Sequence, residues 1–225
     1  MIIAKTDMTG ITLNSTYRQG IPEWYPSIHT WISRVGDTSI VQHPIDPSKK
    51  AMRIIFDGKV SGDANRPSFH VFMNEPNTLT EGIQEIWVEA KYFYPLDFHN
   101  PLGWFIKAEP FVEYAEGIHN FDANLLVYPD ANGDYLQLEI KRRGKNPDGS
   151  YWQENVFVEN WNKQLRLPKG KEFTLRWHVK RHPTDGVFEM WLDGQKVLDY
   201  HGITTEGSEE WHVIPLDHYL SLIHI

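Results

Sequence analysis

The feature that most constrains this chain is a two-residue alternation that recurs with no sustained helical period to compete with it. In Tyr135-Leu136-Gln137-Leu138-Glu139-Ile140-Lys141 the leucines and isoleucine fall on one face of an extended strand, and Tyr, Gln, Glu and Lys on the other. Short apolar-rich runs recur about every 10 to 20 residues, bounded by Gly, Pro, Asn and Asp, which is the spacing of a sandwich or barrel. Strands are expected over 51–56, 68–74, 85–94, 103–107, 123–128, 135–141, 154–158, 173–181, 187–192 and 195–200. The dipeptides Asn132-Gly133, Asp148-Gly149 and Asp193-Gly194 supply positive φ for tight hairpins, and Asp185-Gly186 ends a longer connection containing Pro183. No internal repeat, low-complexity tract or linker divides the strands. The expectation is one all-β domain over 1–219, a two-sheet antiparallel β-sandwich.

Composition narrows the function classes. The 225 residues can bury a full core without staples. Hydrophobic residues at 40% and charged residues at 23% fit neither disorder nor a membrane-embedded chain, and no apolar run approaches the roughly 20 residues of a bilayer span. Asp plus Glu number 30 against 22 Lys plus Arg, and the resulting −8 opposes a nonspecific grip on nucleic acid or anionic lipid. Neither is expected as a partner, and a monomer is expected. Without cysteine there is no disulfide framework, thiolate zinc site or cysteine nucleophile. The 9 Trp, 10 Tyr and 11 Phe suit strands, and also a surface that stacks on flat ligands.

Both ends call for separate reading. The start, MIIAKTDMTG, lacks the charged and apolar regions and the cleavage site of a signal peptide. The last six residues, Leu220-Ser221-Leu222-Ile223-His224-Ile225, match the translation of CTG TCT CTT ATA CAC ATC, the end of an adapter used in transposon-based sequencing libraries. They are expected to be a scar of metagenomic sequencing on a chain cut short at its C-terminus; the alternative is a natural apolar terminal strand.

The stretch 172–205, EFTLRWHVKRHPTDGVFEMWLDGQKVLDYHGITT, resembles the penultimate region of concanavalin A-like jelly rolls, in particular the heparin-lyase-like and alginate/glucuronan-lyase-like polysaccharide lyases. There a strand carrying Trp and His precedes a hairpin matched here by Phe188, Trp191, Asp193, Gly194 and Val197. Upstream, Pro44, Asp46, Pro47, Lys50 and Arg53 resemble the family's early strand entry, and 85–98 its long strand ending in an aromatic-Pro turn. The resemblance implies a carbohydrate-active protein that binds an extended polysaccharide on a concave sheet and cleaves uronic acid polymers by β-elimination. It also implies a secreted or extracellular protein. The alternatives are a noncatalytic carbohydrate-binding module and a structural or adhesion sandwich.

Elimination needs a base for the C5 proton, a cation or amide on the carboxylate and an acid for the leaving oxygen. Gly103-Trp104-Phe105-Ile106-Lys107 resembles the family's glycine-lysine strand, which makes Lys107 the first catalytic candidate. The family's next strand carries Ser and Arg two apart, where this chain has Asp122 and Asn124; Asn124 can still hydrogen-bond a carboxylate. Tyr135 is the candidate acid or base, and His70 a candidate base in the heparin-lyase manner. Trp87, Lys91, Trp104, His119, Gln137 and Glu139 are the candidate substrate-binding residues. Trp177 and Trp191 are expected in the core. No histidine pair has metal spacing, and no carboxylate set matches the glycosidase pattern of the fold, although Glu109 with Glu113 and Glu85 with Glu89 have the charge. No cofactor is required; a structural calcium around Asp57-Gly58 and Asp63 is compatible with the fold.

Overall fold

The computed structural model describes residues 19–20, 28–33, 38–54, 68–73, 83–98, 106–115, 118–159, 165–205, 207, 210–216 and 223–224. Among them there is no helix. The strands are β1 (Gln19–Gly20), β2 (Ile28–Ser33), β3 (Thr38–Gln42), β4 (Lys50–Ile54), β5 (Ser68–Met73), β6 (Glu85–Phe93), β7 (Ile106–Ala115) and β8 (Ile118–Tyr128). They continue with β9 (Tyr135–Lys145), β10 (Tyr151–Glu159), β11 (Glu172–Lys180), β12 (Gly186–Leu192), β13 (Gln195–Gly202), β14 (Glu210–Leu216) and β15 (Ile223–His224). Three antiparallel sheets result: β1-β2-β5-β14-β7-β8-β9-β10, β13-β12-β11-β6 and the small β15-β4-β3. The two large sheets pack face to face as a β-sandwich. Ile223 and His224 pair with Ile54 and Arg53 of β4.

Alternation decides which side of each strand becomes core. Phe121, Ala123, Leu125 and Val127 of β8, with Leu136, Leu138 and Ile140 of β9, meet Phe173, Leu175, Trp177 and Val179 of β11 across the sandwich. Each such side chain contributes about 1.5–3 kcal/mol relative to exposure. Trp177 is buried as expected. Trp191 is not a core residue, because Phe188, Met190 and Leu192 take the inward parity of β12 and leave Trp191 half-buried on the outside.

Asp193 (φ 49°) and Gly194 (φ 82°) form the two-residue β12–β13 turn. The turn is pinned to β11, since Thr174 N donates to Asp193 Oδ1 at 2.8 Å and Asp193 N to Thr174 O at 2.9 Å. Gly186 has a different reason to be glycine: a Cβ there would lie 1.8 Å from Thr204 Oγ1. That hydroxyl accepts from His182 N at 2.9 Å and donates to Lys180 O at 2.6 Å, closing the β11–β12 connection.

Several strands depart from expectation. β7 spans Ile106–Ala115 and runs through Pro110, well past the expected end at Lys107; 103–105 of the expected strand lie outside the described residues. Proline lacks an N–H for the ladder, and the pairing with β8 shifts between Ala108 and Phe111 to absorb it. β8 starts at Ile118, β9 runs on to Lys145, and β2, β3 and β14 were not expected at all. Trp104 and the proposed calcium region at Asp57, Gly58 and Asp63 lie outside the described residues.

At one end of the core the two large sheets are joined by charge. Arg181, just past β11, donates from Nε at 2.9 Å and Nη2 at 2.8 Å to Glu113 Oε1 of β7, and both side chains are fully buried. The Thr205 hydroxyl donates to the same oxygen. Removing one charge strands the other in a dry interior, so Glu113→Gln should lower stability by about 3–5 kcal/mol in urea unfolding. The double variant Glu113→Leu/Arg181→Met should cost less than its two single variants together; simple additivity would show that the pair is not the joint.

Burial also holds the Tyr92 and Tyr94 hydroxyls well above the ordinary tyrosine value of 10.0. The unfolded chain therefore loses these protons at lower pH than the folded one. Between the two values the folded state binds more protons, so stability should fall as pH rises above about 10. Tyr92→Phe should flatten that fall in urea midpoints taken across the alkaline range, and an unchanged slope would contradict it.

Candidate functional site

The inward set on β8 and β9 fixes the outward set: Asn120, Asp122, Asn124 and Leu126 on one strand, Tyr135, Gln137, Glu139, Lys141 and Arg143 on the next. The register places Asn124 opposite Glu139, Asp122 opposite Lys141, and Leu126 opposite Gln137. These outward polar groups are largely removed from water: Asp122 and Asn124 are 0% exposed, Glu139 6% and Asn120 7%.

Charge and hydrogen bonds organise the cluster. Asp122 Oδ2 accepts from Arg143 Nη2 at 3.0 Å and from Asn124 Nδ2 at 3.1 Å. Lys141 is ion-paired with Glu139. Arg143 also donates from Nε to Gln153 Oε1 of β10 at 3.0 Å. The side-chain oxygens of Asn120 and Asn124 are buried with no hydrogen-bond partner. An unmet buried acceptor costs about 1–3 kcal/mol, so these two amide oxygens are left without compensation within the face.

Tyr128 and Tyr135 stack at the end of the same face, ring centroids 5.3 Å apart and planes 13° apart. Burial, then the Glu139 carboxylate and Tyr135, push the Tyr128 hydroxyl above its ordinary range. It is a proton donor at neutral pH rather than a phenolate.

Lys107 and His70 are placed through backbone pairing. Lys107 lies opposite Leu126, which lies opposite Gln137, so the three form one transverse row over β7, β8 and β9. His70, on β5, is opposite Trp31 of β2. β14 separates β5 from β7, putting two strand spacings, about 10 Å, between their backbones. His119 pairs with Tyr114 at the start of β8, on the alternate parity from Asn120, Asp122 and Asn124.

Trp87 and Lys91 stand elsewhere. They occupy outward positions of β6 in the four-stranded sheet, with the sandwich core between them and Asn124. Lys91 Nζ is 2.9 Å from Glu172 Oε1 and holds that carboxyl below the usual range, with His43 Nε2 2.9 Å from its other oxygen. Glu85 and Glu89 are engaged on this face by His178 and Arg176. Among the described residues no group of three or more His, Asp or Glu could hold a metal ion.

Arg143 was missed from sequence because Arg142 ends the apolar alternation, so the β9 strand was read only to Lys141, whereas it continues to Lys145. Arg143 brings to Asp122 a guanidinium from the neighbouring strand, where the family resemblance looked for an arginine on the same strand.

No family model matches the sequence, and no curated protein matches it. Among solved structures the chain is similar to the alginate lyase Aly36B. A double mutant of that enzyme in complex with alginate trisaccharide aligns with a TM-score of 0.55 at 11% identity, over 84% of this chain and 83% of that one. The complex of another double mutant with alginate tetrasaccharide gives 0.41 at 13% identity, over 74% and 78%, and a further structure of the lyase 0.42 at 10%, over 85% and 75%. The first of these likenesses shows that the chain has a polysaccharide-lyase-like fold.

Proposed function

We propose that the chain, as a concanavalin A-like jelly roll, binds an extended acidic polysaccharide across the outer face of the eight-stranded sheet and cleaves it by β-elimination. One observation carries the reading: cations, buried amides and tyrosines share a single sheet face, with Lys141 and Arg143 beside Asn124 and the Tyr128–Tyr135 stack at its end. These are the group types the reaction needs. A base takes the C5 proton, the electron pair forms the C4–C5 double bond, the C4–O bond breaks, and the leaving oxygen takes a proton. Asn124 Oδ1 is suited to a sugar hydroxyl. The protonated Tyr128 and its neighbour Tyr135 are suited to the leaving oxygen, and Lys107 stands one strand from Asn124 for the carboxylate or its C5 proton. The Aly36B complexes hold alginate oligosaccharides, which supports a uronic polymer as partner.

A noncatalytic module is the second reading. It is favoured by the ion pairs of Lys141 with Glu139 and of Arg143 with Asp122, which compensate both cations within the face.

Incubation with a panel of alginate and other polyuronates separates the two. Elimination should give unsaturated product absorbing near 235 nm, approximately the wavelength of the conjugated carboxylate formed by this chemistry. Lys107→Ala and Tyr135→Phe should each slow it by about a hundredfold or more, with binding retained. Binding without any absorbance rise would assign the module, and absence of both would overturn the acidic-polysaccharide reading.

A further inference from the structure

The four-stranded sheet carries an exposed, stacked indole on its outer face, unconnected with the elimination chemistry. Trp87 is 58% exposed. Its ring lies parallel to the His178 imidazole, 4.2 Å between centroids and 7° between planes, and beside the Trp191 indole at 5.3 Å and 28°. The imidazole beneath it is pinned, with Glu189 Oε2 2.8 Å from Nδ1 and Glu85 Oε1 2.7 Å from Nε2. Trp191 is braced in turn by the Lys196 ammonium, 5.3 Å from its ring centroid. Trp87 therefore rests on a ring held in place from two sides and keeps more than half of its surface open to water.

Core packing does not explain a tryptophan here. Ile86 and Tyr92 supply the buried parity of β6, while Trp87 takes the solvent parity with Glu85 and Glu89. A rigid, one-sided aromatic plane matches the C–H face of a pyranose ring, whose hydroxyls project at its edge toward surrounding acceptors. Acceptors are present at the rim: Glu85 and Glu89 side chains are 53% and 47% exposed. The charge of the rim selects among sugars. Five carboxylates, Glu85, Glu89, Glu172, Glu189 and Asp199, stand against four permanent cations, Lys91, Arg176, Lys180 and Lys196. A uronate chain finds no surplus cation on this face, and a neutral chain needs none.

We propose that Trp87 is the stacking platform of a second, noncatalytic site for a neutral hexopyranose chain, on the opposite side of the sandwich from Asn124. This site does not depend on the elimination chemistry of the other face.

Isothermal titration of the full chain with cellohexaose, laminarihexaose, mannohexaose, maltohexaose and an alginate hexasaccharide tests it. At least one neutral hexaose should bind saturably. Trp87→Ala should weaken that binding about tenfold or more, and Trp87→Phe, with a smaller ring, by less. Asn124→Ala should leave it unchanged, which separates this site from the face of the larger sheet. Circular dichroism confirms the fold of each variant, and Trp87→Phe carries the comparison should the alanine variant not fold. Failure of every neutral hexaose to bind, or binding indifferent to both Trp87 variants, would overturn the proposal. So would an alginate signal lost in Trp87→Ala, which would place a uronate on this face. Self-association in sedimentation that disappears in Trp87→Ala would likewise overturn it, in favour of a contact between two copies.

Discussion

The Glu113–Arg181 pair is the constraint on which the rest of the sandwich depends. Taking a carboxylate and a guanidinium out of water costs several kcal/mol each, and only close geometry offsets it. Here Arg181 Nε, Arg181 Nη2 and the Thr205 hydroxyl all converge on one Glu113 oxygen. The consequence is a fixed register. Glu113 stands opposite Phe121 on β8 and Trp211 on β14. A one-residue slip of β7 would turn the carboxylate out of the core and leave the Arg181 charge buried alone, a far worse state than any neutral mismatch. Fixing β7 fixes β8 beside it, so the pair also determines that Asp122 and Asn124 face outward and meet Lys141 and Glu139.

Legibility of the fold followed the strength of local alternation. β9 stood out because it alternates cleanly, and β12 and β13 because a two-residue Asp193-Gly194 turn joins them. β7 was misplaced because Pro110 reads as a strand breaker, whereas a register shift between Ala108 and Phe111 accommodates it. β14 was hidden by Pro215 in the same way, with a shift between Val213 and Leu216. Glu113 could not have been read as core at all: a carboxylate on an interior position makes sense only once Arg181, 68 residues away in sequence, is known to face it.

The site was legible strand by strand but not as an assembly. Asn124 and Tyr135 were identified through the family resemblance, Gln137 and Glu139 through the strand face they share with Tyr135, and pairing sets all four on one face. Trp87 and Lys91 satisfied the same criteria, yet belong to the other sheet. Alternation tells which residues share a side of their own strand; it carries no information about which of two sheets that strand joins. Trp191 illustrates a simpler oversight, since its neighbours Met190 and Leu192 already claimed the buried parity.

The two outer faces therefore differ in a way that the net charge of −8 conceals. Outward positions of β9 carry Lys141, Arg143 and Lys145 against Glu139, with Asp122 alongside on β8, whereas the Trp87 face has five carboxylates against four permanent cations. Packed sheets lie about 10 Å apart, and outward side chains add to that distance. This exceeds the roughly 8 Å over which physiological salt screens exposed charges. Each face thus presents its own local field to an approaching chain rather than the molecular average. With the two proposed sites, a polyanion and a neutral glycan would be told apart by the side of the sandwich they meet, the larger sheet carrying the cation surplus despite the overall acidity of the protein.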